Sequence, residues 1–164
     1  MSIVVEPAVN PAASPAGEHW LTFHLGAQVY AAPLVEVSEV IRPGEITPVP
    51  GAAADLLGVR HLRGRIVPVM DGRRRLALAA QPEPDPAAVR VVMLARDGHL
   101  VGLRVDAVGE LLSTAGVDIA PPPPGRVRRA DDPVRGVLPW HGGFVALLDV
   151  CRLCRLEPGS GNVA

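Results

Sequence analysis

Few residues in this chain combine a type and a spacing that chemistry could use. Cys151-x-x-Cys154 follows an apolar run and opens a segment of helical pattern. Two thiols one turn apart suit thiol–disulfide exchange, or supply half of a zinc site. Exchange sites of that kind sit in a βαβ setting, which this sequence lacks, so both cysteines read as buried or half-buried structural thiols. The five histidines, at 19, 24, 61, 99 and 141, share no metal-ligand spacing and read as surface residues, with His61 also a candidate for partner contact. Asp106 with Glu110, or Asp131 with Asp132, could be weighed as acid and base. Nothing in the pattern around them perturbs a pKa, so each reads as a solvated strand end. Arg73-Arg74-Arg75 is too short for a nucleic-acid patch and reads as a solvated face. Arg63-Gly64-Arg65 is different. It bends two runs rich in Val, Ile and Leu within LLGVRHLRGRIVPVMDGR, residues 56–73. A guanidinium at such a bend stands out from a rigid hairpin, which serves partner contact rather than catalysis.

Composition narrows the classes. At 164 residues the chain fits one compact domain or two small ones. A net charge of −1 gives no electrostatic footprint for nucleic acid. No run reaches the ~20 apolar residues of a membrane span. The start lacks a basic n-region, and Glu6, Pro7 and Pro11 interrupt any secretory core, so a cytoplasmic location is expected. No catalysis, metal or cofactor is expected.

The elements that hold Arg63 read as short strands. Residues 1–17 are Ala, Pro, Ser and Gly around a few valines and are expected to be a disordered tail. Residues 157–164 read as a flexible C-terminal tail. Trp20 to Leu25 and Gln28 to Leu34 form a hairpin over Gly26-Ala27. Val35, Val37 and Val40 cannot share one strand face unless a bulge lies near Glu39. Ala52 to Leu57 reads as a short helix, with another near Arg73–Leu78. Three prolines in Gln81 to Pro86 make a linker. Val89 to Arg96 and His99 to Val108 form a hairpin over Asp97-Gly98. Pro121 to Pro124 is a stiff loop, followed by solvated Arg126, Arg128 and Arg129. Gly136 to Trp140 pairs with Phe144 to Val150, and Asp149 caps a terminal helix reaching Leu156. This is an all-β pattern of two small barrels packed side by side, mainly about 18–80 and mainly about 88–150, with room for strand exchange at the seam.

Residues 18–156 resemble the CheW family of chemotaxis coupling proteins. The resemblance lies in WLTFHLGAQVYAAPLVEVSEV, in the run Gly58 to Asp71 (G-V-x-x-L-R-G-x-I-V-P-V-x-D), in Val101 to Val108, and in FVALLDVCRLC. It implies two SH3-like five-stranded barrels and a non-catalytic adaptor between chemoreceptors and a CheA-type histidine kinase. The implied partners are the kinase's regulatory domain, the cytoplasmic hairpin tip of the receptors and other CheW-like domains, with recruitment to membrane-associated arrays. Carried over by position, it places Val37, Gly58 and Arg63 at receptor or kinase contacts. An amphipathic helix in a groove would need an apolar floor (Val37, Val40), a small residue for close approach (Gly58) and polar anchors (Arg63, His61).

The chain departs from the family pattern at Pro33, Ala53, Asp55, His61 and Gly72, near the expected partner surfaces. Partner identity therefore stays open. An SH3-like interaction module of a non-flagellar or other signalling complex is the second functional class. A small redox or metal protein using Cys151 and Cys154 is the third.

Overall fold

The computed structural model describes residues 3–4, 18–78, 82–122 and 132–155. Its strands are β1 (Ile3–Val4), β2 (His19–Leu25), β3 (Gln28–Pro33), β4 (Val37–Ile41), β5 (Leu56–Leu62), β6 (Arg65–Asp71), β7 (Arg90–Arg96), β8 (His99–Val105), β9 (Ala107–Ser113), β10 (Val134–Trp140) and β11 (Gly143–Leu148). A 3₁₀ turn, Leu34–Glu36, leads into β4. Among the described residues, α-helix is confined to α1 (Gly72–Arg75) and α2 (Val150–Leu153). The fold is all-β, as the alternation and turn residues predict.

Turn chemistry fixes the hairpins. Arg63-Gly64, Asp97-Gly98 and His141-Gly142 all have positive φ at both central residues, which matches the right-handed twist of the strands they join. Both helices start the same way. The carboxylate of Asp71 accepts from the Arg73 N–H at 3.1 Å, and that of Asp149 from the Arg152 N–H at 3.3 Å.

The two sheets run β1-β4-β7-β8-β6-β5 and β10-β11-β3-β2-β9. Apart from β1, they repeat one arrangement: an edge strand, a hairpin, a parallel junction and a second hairpin. The parallel junctions are β6 on β8 and β11 on β3. In the second unit, the hairpin β2–β3 that should come last stands first in the chain. A hairpin from the first half of the chain therefore completes the sheet of the later strands, a strand exchange across the seam near residues 80–88. Strands β2 and β3 pair with each other, and their outer edges pair with β9 and β11.

Three cores result. Trp20, Ala31, Leu112, Leu138, Val145 and Leu147 fill the inside of one unit. Ile41, Val67, Val69, Val91 and Met93 fill the other. A larger core lies between the units, built from residues such as Leu21, Phe23, Val37, Val40, Leu94, Leu103 and Leu153. Most strands are thus buried on both faces, and each buried side chain of this size contributes roughly 1.5–3 kcal/mol.

Several expectations need correction. Residues 52–55 are coil and turn, and Leu56 and Leu57 already belong to β5, so no helix forms there; the Asp71 N–H donates to Asp55 O at 2.8 Å, drawing that segment to the sheet. The expected strand to Val108 breaks at Asp106, where the chain changes sheets. Ile3 and Val4 belong to no free tail, since they pair with Val40 and Glu39. The rest of the two expected tails, the arginines at 126, 128 and 129, and Leu156 lie outside the described residues.

Candidate functional site

Arg63 occupies the tip of the β5–β6 hairpin with a φ of 50°, and Glu39 lies on β4. A bulge between Val37 and Glu39 shifts the register of β4 on β7. It lets Val37 and Val40 both turn inward. The two Arg63 Nη groups donate to the two carboxylate oxygens of Glu39, one at 2.8 Å. The Glu39 side chain is 4% exposed and that of Arg63 is 62% exposed. The Arg63 hydrogen bonds hold the Glu39 carboxyl below the usual carboxylate range, against the upward push of burial. In turn Glu39 raises the guanidinium further. Only two of the five arginine N–H groups serve this pair, so the cation also offers donors outward.

A shallow concavity of about 300 Å³ opens beside the pair, lined by Ser38, Leu62, Ala95, His99 and Leu100 among others. Exposed His61 stands opposite Ile66 in the ladder, and Ile66 is 64% exposed. Arg60 donates to Arg42 O at 2.7 Å and pins the segment that leads to Thr47.

The structure separates the expected contact residues. His61 and Arg63 share the exposed hairpin. Val37 and Val40 do not floor a groove: they are 2% and 3% exposed, inside the core between the units. Gly58 also makes its close approach inward. A Cβ there would stand 2.2 Å from Thr47 O, and Thr47 pairs with Val59 on both sides of an isolated bridge. The sequence reading missed Glu39 and Ile66. Glu39 could have been found from the bulge it was linked to, since a carboxylate turned inward needs a cation.

Two bland readings also change. Asp106 is no solvated strand end, and Arg73 and Arg75 are no solvated face. Asp106 accepts from Arg73 at 2.7–3.2 Å and from the Gly26 N–H at 2.6 Å. Burial pushes its carboxyl up, but the hydrogen bonds from Arg73 and Gly26 outweigh this and lower it. Arg75, with a side chain 6% exposed, donates to Leu153 O at 2.8 Å and Arg152 O at 2.6 Å. It ties α1 to the end of α2. Of the two expected structural thiols, Cys154 is half-buried but Cys151 is exposed.

The second unit carries a counterpart of the Arg63 site. There His141 at the β10–β11 tip meets Glu110 on β9 at 3.0 Å. A groove of about 480 Å³ lies beside them, lined by His24, Gly109, Trp140 and Phe144 among others. Gly136 matches Gly58, facing Ala120 as Gly58 faces Thr47. Among the described residues no group of three or more His, Cys, Asp or Glu could hold a metal, and no helix is long and apolar enough to cross a membrane.

The family model of the CheW-like domain matches residues 19–158. The chemotaxis protein CheW of Rhizobium meliloti (strain 1021) is 32% identical over 135 residues, 82% of this chain and 85% of that protein. The chemotaxis protein CheW of Klebsiella aerogenes is 28% identical over 141 residues, 86% of this chain and 84% of that one. The crystal structure of the scaffolding protein TtCheW from Thermoanaerobacter tengcongensis matches with a TM-score of 0.70 at 26% identity, covering 80% of this chain and 88% of that one. With a match that runs through both sheets and relatives covered over most of their length, this chain belongs to the CheW-like domain family of chemotaxis coupling adaptors, built as two SH3-like barrels.

Proposed function

We propose that this chain is a non-catalytic adaptor that couples chemoreceptors to a CheA-type histidine kinase, working in the cytoplasm at membrane-associated arrays. The observation that carries this reading is the family match over residues 19–158, which includes both units and the seam between them. The contact face is the β5–β6 hairpin with the concavity beside Ser38 and Leu62. Arg63 supplies charge-assisted hydrogen bonds, His61 a polar contact and Ile66 the exposed apolar one. Val37, Val40 and Gly58 act from within, by holding the bulge and hairpin that present this face.

The test is direct binding. The purified chain is passed over an immobilised kinase regulatory domain and, separately, over a receptor's cytoplasmic hairpin tip. The expected result is retention on both, lost from the tip or the kinase domain when Arg63 is replaced by Ala. Retention on neither overturns the adaptor reading.

A further inference from the structure

An adaptor has no use for Cys151-x-x-Cys154, yet the fold gives its two thiols opposite characters. Cys151 is exposed on α2. Cys154 is half-buried and packs against the core between the units, as does Leu34. Burial, with the charge of Glu36 adding to it and that of Arg75 opposing, pushes the Cys154 thiol up to about 12. The Arg96 guanidinium, held in place by Glu36 at 3.2 Å and Asp97 at 3.7 Å, lies within electrostatic reach of both sulfurs. Exposure opens the Cys151 sulfur to an incoming disulfide, while half-burial shields that of Cys154. The helical spacing sets the two Cα atoms about 5 Å apart. That separation falls inside the ~4.4–6.8 Å a disulfide spans.

We propose that Cys151 and Cys154 form a reversible redox modification site for small-molecule disulfides, with Cys151 as the attacking thiol and Cys154 as the resolving one. In the first step the Cys151 thiolate forms a bond to one sulfur of the disulfide, and the other sulfur leaves as a thiolate that takes up a proton. In the second, Cys154 gives up its proton to solvent and its sulfur attacks Cys151 Sγ, expelling the second small thiol. The small disulfide is reduced to two thiols, and the protein dithiol is oxidised to one intrachain bridge. In a reducing compartment the pair rests as the dithiol and closes under oxidative load.

The test uses the full chain in buffers of oxidised and reduced glutathione at graded ratios. Samples are quenched with a thiol-alkylating reagent and weighed intact. The expected product is an unalkylated intrachain disulfide that returns to the dithiol in excess reduced glutathione. Cys154→Ala is expected to accumulate a glutathione mixed disulfide at Cys151, while Cys151→Ala takes up at least about tenfold less. As a measure that needs no variant, Cys151 in the wild-type dithiol should alkylate at least about tenfold faster than Cys154. Mixed disulfide without closure, dimers joined between chains, or equal reactivity of the two thiols would each overturn the proposal.

Discussion

Glu39 and Arg63 are joined as a two-pronged ion pair, with the carboxylate 4% exposed and the guanidinium 62% exposed. One residue sits on β4 and the other at the tip of the β5–β6 hairpin, strands at opposite ends of the β4-β7-β8-β6-β5 order. The pair therefore helps to close the sheet on itself, and it holds the cation that faces outward. Arg63 is both a fastening of the fold and part of its contact face.

Both roles are measurable in one variant. Arg63→Ala should weaken receptor or kinase binding at least ~30-fold, as for a well-placed interfacial arginine. It should also lower the melting temperature by about 3–6 °C, because Glu39 loses its counter-charge. Arg74→Ala is the control: Arg74 is 62% exposed and should be silent in both assays. Binding equal to wild type would remove Arg63 from the face. An unmoved melting temperature would mean that closure does not depend on the pair.

Gly58→Ala tests whether that glycine serves the fold or a partner. Its φ is +153°, and a Cβ would meet Thr47 O at 2.2 Å and Thr47 C at 2.7 Å, both backbone atoms. The expected loss is about 3 kcal/mol or more by urea titration. Gly136→Ala should cost less, since its nearest contact is the movable Ile119 side chain. Wild-type stability with lost binding would instead make Gly58 a surface contact.

Acid should loosen the seam through Asp106. Its carboxyl is lowered in the folded state, so the pair with Arg73 adds stability that is full above the ordinary carboxylate range. That stability is lost as pH falls through the lowered value. Asp106→Asn should cost about 1–2 kcal/mol at neutral pH. The gap to wild type should close as the pH falls through that lowered carboxyl value. Urea midpoints across this range check the sign; a gap that widens on acidification would refute it.

Arg75 links the two helices, and its removal should free the second. Arg75→Ala strips donors from the carbonyls of Leu153 and Arg152 and should destabilise the chain by about 2–3 kcal/mol. Amide exchange at Leu153 and Cys154, whose N–H groups close α2, should accelerate beyond the global change. Uniform acceleration would show that α2 does not depend on Arg75.

Most strand positions, the turns at Arg63-Gly64 and Asp97-Gly98, the Asp149 cap and the bulge near Glu39 were legible in the sequence. Each is decided within a few residues, by alternation, by glycine at a bend or by a side-chain oxygen within reach of its own backbone. The family was legible too, from the run Gly58 to Asp71. Which strands pair across the chain was not. The parallel junctions β3–β11 and β6–β8 join segments far apart in sequence, and no local pattern encodes their partner. The same gap hid the fate of Val37 and Val40. Their spacing announces a buried face, but only the packing of one unit on the other decides that this face is core rather than groove. Arg73 and Arg75 looked solvated for a related reason: a charged run reads as surface until the fold brings Asp106 and the α2 carbonyls to it. Local physics wrote the elements, and burial between distant segments assigned their roles.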